Sequence, residues 1–455
     1  MKIVSLSIAG AALIGLIVLG LSLHVPHADS VGSVALTNRF VGVMALAGVV
    51  YLGACALVLR HTVQPRLMLW VVLGVALAMR LPVLLAPPFL SSDVYRYVWD
   101  GRVQAAGINP YRFVPADPAL VRLRDTAIYP HINRRTYART IYPPMAQVIY
   151  RAIAAFAQSV WAVKVAMVGF ECLAVVCLIA LLRMAGLPDT RVLIYAWNPL
   201  AVWAFAGNGH VDAAAAGLIA AALLARAARR DTLAGAVLAA ATLVKFFPLA
   251  IAPALWRPFV RPVNWQAPVA FLAVVIALYA CYIQVGWHVL GFLPHYGSEE
   301  GLRQGTGVWL LDGIAEVCTL PSWTSAAYLA ICASGLVAAS LWLLARNRAA
   351  LPPALDVLRL CRQAGWLGFA FMLLLSPHYP WYFPFLAVFA TIAPSRAVIW
   401  LSVAPLLLYL DPIADLFIWR GLVFAPALLL AARDLRVRAA KRQPALWSAP
   451  TTGQV

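Results

Sequence analysis

The sequence predicts an all-α polytopic membrane protein, and three observations predict it. The 455 residues are 63% hydrophobic and only 11% charged, with a mean hydropathy of +0.84. Apolar runs of about 20 residues recur along the chain, long enough to cross a hydrocarbon layer of roughly 30 Å as helices. Outside one polar segment, the basic residues stand at the ends of those runs: Arg60 and Arg66, Arg226 to Arg230, Arg346 to Arg362, and Arg433 to Arg442. That placement assigns the net charge of +18 to the positive-inside pattern, with anionic membrane lipid rather than nucleic acid as its partner.

Each element follows from local pattern. After Met1-Lys2 an apolar run reaches Leu23. It is too long for a signal peptide and lacks an AxA-like cleavage site, so an uncleaved helix over 4–23 is expected. Helices follow at 41–59 and 67–87. With Lys2 inside, the first crossing runs outward; Arg60 and Arg66 inside then put the next polar segment, 88–144, on the outer face. The stretch 145–158 is too short to span and follows the extended Tyr142-Pro143-Pro144, so an interfacial helix is expected. The outer segment thus runs over 88–160.

Further helices are expected at 161–183, 192–206, 212–228 and 232–256. If the last were one crossing, Arg257, Arg261 and ultimately the C-terminal tail would lie outside. A break at Lys245-Phe246-Phe247-Pro248 makes two half-helices and restores agreement, because proline removes a backbone hydrogen bond. The remaining candidates are 267–287, 325–345, 364–376, 380–394, 397–411 and 416–432. Hydropathy therefore counts roughly 11 to 13 crossings. Residues 1–432 read as one transmembrane catalytic domain and 433–455 as a basic cytoplasmic tail, with no long internal repeat. Seven cysteines form no CxxC pair, and six fall within or beside apolar runs, as small core residues do.

The chemistry concentrates in the polar island 88–144. It carries Asp93, Asp100, Asp117 and Asp125 among eight arginines, six tyrosines and Trp99. Asp93 stands just past a membrane exit, where a carboxylate can serve as a general base; Arg96 and Arg102 can bind an anion beside it. The plainer reading is a solvated juxtamembrane aspartate within an ordinary aromatic belt. Gly107-Ile108-Asn109-Pro110-Tyr111 and Thr140-Ile141-Tyr142-Pro143-Pro144 read as turns that frame the loop.

A second outer constellation is Gly207-Asn208-Gly209-His210-Val211-Asp212, where Asn208, His210 and Asp212 can converge on one cleft. Its plainer reading is a turn in which Asp212 caps the next helix. Of only four lysines, Lys164 and Lys245 lie within apolar stretches. Lys245, at the expected break, suits an anion; Lys164, near a helix start, suits snorkelling to the interface. Ser376-Pro377-His378-Tyr379-Pro380-Trp381-Tyr382-Phe383-Pro384 offers rings on which a sugar can lie, a composition also common in membrane anchoring. The outer loop 288–323 adds His295, Tyr296, Glu299, Glu300, Arg303 and Asp312. No spacing makes a metal motif: His24/His27 and His210/Asp212 both lack a third ligand.

Taken together, D-x-Y-R-Y-x-W-D-G…G-x-N-P-Y…I-Y-P-P, W-N-P-L…G-N-G-H-x-D, L-V-K-F-F-P and S-P-H-Y-P-W-Y-F resemble GT-C superfamily membrane glycosyltransferases. The nearest branch is the bacterial polyprenyl-phosphate-mannose-dependent mannosyltransferases, distantly similar to the catalytic subunit of the first GPI mannosyltransferase. The resemblance spans about residues 67–394. It implies a GT-C-like bundle in the bacterial inner membrane, an active site facing the periplasm or exterior, and an aspartate base in the first long outer loop, where Asp93 stands. It further implies a polyprenyl-phosphate sugar donor, with mannose the expected sugar, and a glycan or lipid-linked acceptor. The family often carries D-x-D or D-D at the base; this chain has Ser91-Ser92-Asp93, so no motif supports a divalent cation and no cofactor is assigned.

Such a transfer needs a deprotonated acceptor hydroxyl and a stabilised phosphate. A phosphate monoester, with its second pKa near 6, leaves without a general acid when cations hold it. One carboxylate plus cations therefore suffices, and direct displacement inverts the anomeric carbon; the paired carboxylates of retaining glycosidases are not required. Lys245, His210 and Arg96, Arg102 or Arg135 are the expected phosphate ligands, with Asp100, Asn208, Asp212, His378 and Tyr379 completing the substrate site. The rival class is a transporter or lipid flippase of envelope glycan synthesis, which would place carboxylates on broken helices in two related halves.

Overall fold

The computed structural model describes residues 2–23, 31–60, 66–260, 262–303, 305, 307–410 and 417–440. The regular structure of the described residues is all helical, with no strand among them. The longer helices are α1 (Lys2–Ser22), α2 (Val31–Leu59), α3 (Arg66–Leu85), α4 (Asp93–Ala105), α5 (Pro144–Phe156), α6 (Val160–Met184), α7 (Asp212–Ala227) and α8 (Asp231–Thr242). They continue as α9 (Gln266–Ala280), α10 (Leu293–Glu299), α11 (Trp309–Ala315), α12 (Thr324–Arg346), α13 (Pro353–Leu375), α14 (Leu386–Ile392), α15 (Arg396–Val403) and α16 (Phe417–Ala440). The pairs α6–α7, α7–α8, α8–α9, α1–α2 and α4–α5 pack side by side.

Among the described residues six helices are long and apolar enough to span a membrane, or eight if each of two bent pairs counts as one span. Hydropathy expected roughly 11 to 13. The difference lies in apolar runs that fold into short, buried pieces. The run 192–206 breaks at Asn198-Pro199, where Asn198 Oδ1 accepts from the Leu200 and Ala201 amides at 3.0 and 3.3 Å. It then continues as a π-helix over Val202–Gly207. The run 380–394 and the described part of 397–411, residues 397–410, likewise become short segments almost wholly enclosed by the other helices. Burial in protein demands the same apolar composition as burial in lipid, so hydropathy counts both alike.

The break expected in 232–256 is present. Helix α8 ends at Thr242, and the chain resumes as a 3-10 turn over Phe247–Ile251 and a single turn over Ala252–Leu255. Helix α13 starts at Pro353 rather than 364, because its early charges are paired: Asp356 accepts from Arg257 at 2.8 Å and from Arg359 at 3.1 Å. Lys164 does not snorkel. Its buried ammonium donates to the carbonyls of Val83 and Ala86 at 2.8 and 2.6 Å, capping the negative end of α3. Inside the bundle Arg80 of α3 pairs with Glu171 of α6 at 2.6 Å and also donates to the Ala76 and Ala196 carbonyls.

All seven cysteines are free thiols: four are buried, while Cys172, Cys281 and Cys318 are exposed. The pair His24/His27 and residues 441–455 of the tail lie outside the described residues.

The island 88–144 is a packed unit rather than a solvated loop. Several of its rings are interior: Tyr97, Trp99 and Tyr111 are buried, and Tyr97 stacks on Tyr150 of α5 at 4.8 Å and 9°. Gly101 lets α4 and α5 touch, since a Cβ there would stand 2.5 Å from the Tyr150 carbonyl oxygen. The two turn motifs are joined, with the Tyr111 hydroxyl donating to the Tyr142 carbonyl at 2.7 Å. Helix α5 starts against the break after α8: the Met145 and Ala146 amides donate to the Leu243 carbonyl at 3.0 and 3.2 Å.

Candidate active site

A cavity of about 430 Å³ opens where the island, the break after α8, α10 and the aromatic segment 377–382 meet. Its polar lining comprises Asp93, Arg96, Asn133, Arg134, Arg139, Lys245 and Glu300; Phe246, Phe247, Phe292, Leu293, Phe371 and Leu375 supply apolar lining.

Asp93 is the first residue of α4, with its carboxylate at the positive end of the helix. Asn133 Nδ2 donates to its Oδ1 at 2.8 Å, and His210 Nδ1 stands 3.8 Å from its Oδ2. The side chain keeps 18% of its surface exposed, so an acceptor hydroxyl can approach. Asp100, seven residues on, also lies on α4 but does not line the cavity. Asp100 is buried against Arg96 Nε at 2.9 Å and Gln147 Nε2 at 3.0 Å. Arg96, so held, also donates to the Ala138 carbonyl and presents its guanidinium to the cavity wall.

Lys245 comes from the break after α8. Its ammonium donates to Asp212 Oδ2 at 2.9 Å and lies 3.9 Å from the centroid of the Tyr382 ring. Asp212 begins α7, and its carboxylate holds the lysine. Asn208 acts further upstream. Its Oδ1 accepts from the Phe89 amide at 3.0 Å and steadies the chain that leads into Ser91-Ser92-Asp93.

The far wall is tied across by Arg134. Its guanidinium pairs with Glu299 and stands 3.9 Å from Glu300. Glu300 also accepts from the Tyr379 hydroxyl at 2.9 Å, and Tyr296 and Tyr382 share a hydroxyl contact at 3.0 Å. Burial pushes the Glu300 carboxyl above the usual range, against the opposing pull of the Tyr379 and Tyr296 hydroxyls and of Arg134. Three non-glycine residues at or beside the cavity adopt positive φ: Leu90 at 67°, Arg134 at 52° and Ser376 at 39°. Strain of this kind persists where surrounding structure over-determines it, commonly at functional sites.

Of the residues singled out from sequence, Asp93, Arg96, Lys245, His378 and Tyr379 line the cavity. His210, Asp212, Asn208 and Asp100 are buried behind it. Arg102 and Arg135 are not brought to it. Arg102 pairs with Asp125 at 2.7 Å, and Arg135 donates to the Pro130 carbonyl at 2.6 Å and lies over the Tyr129 ring. Sequence reasoning passed over Asn133 and Arg134, the neighbours of Arg135. A loop residue at positive φ turns its side chain unpredictably, and no spacing distinguishes Arg134 from Arg135. Tyr296 and Glu300 were noted without a role; nothing local connects them to Asp93. Among the described residues no group of three or more His, Cys, Asp or Glu side chains is placed to hold a metal ion.

No curated protein and no solved structure matches the chain. One family profile does, that of the alpha-(1→6)-mannopyranosyltransferase N-terminal domain, over residues 4–260. The matched span holds Asp93, Asn133, Arg134, His210, Asp212 and Lys245, the polar lining and its supports, and stops before Glu300 and Tyr379. It covers more than half of the sequence, and the several long apolar helices make the protein multi-pass. The chain therefore belongs to the alpha-(1→6)-mannopyranosyltransferase family and is a membrane-embedded mannosyltransferase that moves mannose from a sugar donor to a glycan acceptor.

Proposed function

We propose that this cavity transfers mannose from a polyprenyl-phosphate donor to a glycan or lipid-linked acceptor by inverting displacement, on the periplasmic face of a bacterial inner membrane. The observation that carries the reading is the mixed lining of the cavity. A carboxylate with an open approach, several cations, and a set of phenylalanines and leucines share one cavity, so a molecule with an anionic head and an apolar chain fits it. A nucleotide-sugar would leave the apolar lining unmatched.

In the reaction, Asp93 takes the proton of the acceptor hydroxyl as that oxygen bonds to the anomeric carbon. The bond from that carbon to the phosphate oxygen breaks, and its electron pair leaves on the polyprenyl phosphate. Lys245, held by Asp212, and the guanidinium groups of Arg96, Arg134 and Arg139 stabilise the departing phosphate, each in a partly desolvated setting where a charge acts more strongly than in water. The Tyr379 and Trp381 rings supply a face for a sugar.

Purified protein incubated with a synthetic polyprenyl-phosphate [¹⁴C]mannose and a mannosylated glycolipid tests the proposal. Label should pass to the glycolipid, with the product anomer opposite to that of the donor. Transfer from a nucleotide-mannose instead, or retention of the donor's anomer, would overturn it.

A further inference from the structure

His210 is wholly enclosed, and neither of its ring nitrogens has a hydrogen-bond partner. A buried polar group without a partner is uncommon in a well-packed protein and calls for an explanation. His210 lines no part of the cavity, so a direct role as phosphate ligand is not its explanation. What its Nδ1 faces is the second oxygen of Asp93, at 3.8 Å.

The placement is built. The π-helix Val202–Gly207 ends in Asn208-Gly209, and the His210 amide donates back to the Ala204 carbonyl at 3.0 Å. Gly209 has φ +70°, and a Cβ there would lie 3.0 Å from Val94 Cγ2 and 3.2 Å from Lys164 Cγ. The turn is therefore pressed against the first residues of α4, next to Asp93. The imidazole lies flat on Trp381, centroids 4.0 Å apart and planes at 15°, so the indole face sets the plane of the ring. Trp381 itself lines the cavity and stacks on Tyr379 at 4.8 Å. A sugar resting on those rings presses on the same stack that holds His210.

We propose that His210 is a positioning residue for Asp93: its Nδ1–H closes onto Oδ2 when substrate fills the cavity, while Asn133 holds Oδ1. The gap need shrink by only about 1 Å to reach hydrogen-bond length, and catalytic hydrogen bonds are often long before substrate arrives. Two donors then fix the carboxylate plane and aim its remaining lone pair at the acceptor hydroxyl. The inference rests on the reading of Asp93 as the base.

The charged and titratable groups around this pair are Lys245 and Asp212 on the α8 break and α7, with the hydroxyls of Tyr97, Tyr142, Tyr150 and Tyr409 within electrostatic reach of Asp93. None of the four hydroxyls donates to the Asp93 carboxylate in the resting cavity.

The test compares three substitutions in the full-length protein. His210→Phe keeps the ring stack and removes the donor. His210→Asn puts an amide nitrogen near the place of Nδ1, and His210→Gln puts one near Nε2. His210→Phe and His210→Gln should lower kcat by about 10–100-fold, as a misaimed catalytic group does, while donor KM stays within about twofold. His210→Asn should recover most of the rate. The Asn-against-Gln contrast keeps the test decisive if the Phe variant does not fold. Wild-type kcat in both Phe and Gln variants, or equal loss in Asn and Gln, would overturn the inference. Asp93→Asn serves as the control: if it retains full activity, it is the base assignment that fails, independently of His210.

Discussion

Lys245 and Asp212 meet at 2.9 Å although each stands at the broken end of a different helix, α8 and α7. The lysine comes from a break that proline enforces, the aspartate from a turn that two glycines permit. Neither charge could sit at this depth alone, since an unpaired ion away from water is costly. Their pairing leaves the ammonium fixed at the cavity wall, over the face of Tyr382.

Neutralising the lysine should therefore act on the donor. Lys245→Met is expected to lower transfer by weakening donor phosphate binding and leaving-group stabilisation, with acceptor KM little changed. Steady-state kinetics with each substrate varied in turn measures this. Unchanged donor KM and kcat would show that the lysine only neutralises Asp212.

Asp93 and Asp100 separate cleanly. Asp93→Asn removes the proposed base and should reduce kcat by about 10²–10⁴-fold with donor binding retained. Asp100→Asn instead weakens the pairing that holds Arg96, so it should act mainly on stability and only mildly on rate. Loss of chemistry in Asp100→Asn with full activity in Asp93→Asn would reverse the assignment.

Sidedness is testable at the tip after α4. Ala106 is exposed and precedes the turn at Gly107. Ala106→Cys, in a background with the native cysteines replaced, should react with a membrane-impermeant maleimide in intact spheroplasts. Reaction only after lysis would place the cavity on the cytoplasmic side.

The Arg80–Glu171 pair should carry stability rather than catalysis, being buried between α3 and α6. Glu171→Ala strands the guanidinium and should cost about 3–5 kcal/mol, whereas replacing both by Leu should recover much of that. Thermal unfolding in detergent distinguishes the two. Equal losses in the single and double variants would show that the pair itself stabilises the bundle.

Glu300 gives a pH signature. Its carboxyl is raised in the folded protein, so the folded state binds its proton more readily than the unfolded one. The stability it contributes is present below the ordinary carboxylate range and is lost as pH rises through the raised value. The melting temperature of the wild type relative to Glu300→Gln should therefore decline across that window from the acid side upward. A difference that does not vary with pH would show that Glu300 is ordinarily solvated.

By itself the sequence determined the class of the protein and the neighbourhood of its site. Apolar runs, their basic ends and the polar island are local in sequence, and local pattern is what hydropathy and turn chemistry report. The break at Lys245-Phe246-Phe247-Pro248 and the turn at Gly207–Asp212 were legible for the same reason, because glycine and proline act on their own backbone. Tertiary structure decided which apolar runs are spans and which are enclosed segments, since lipid and protein interiors select the same residues. It also decided which cations reach the cavity. Arg102, Arg134 and Arg135 are chemically alike, and only the packing of the island turns Arg134 inward while Asp125 and Tyr129 retain the other two. Above all, the approach of His210 to Asp93 joins residues 117 positions apart, and no local preference encodes a distance of 3.8 Å between them.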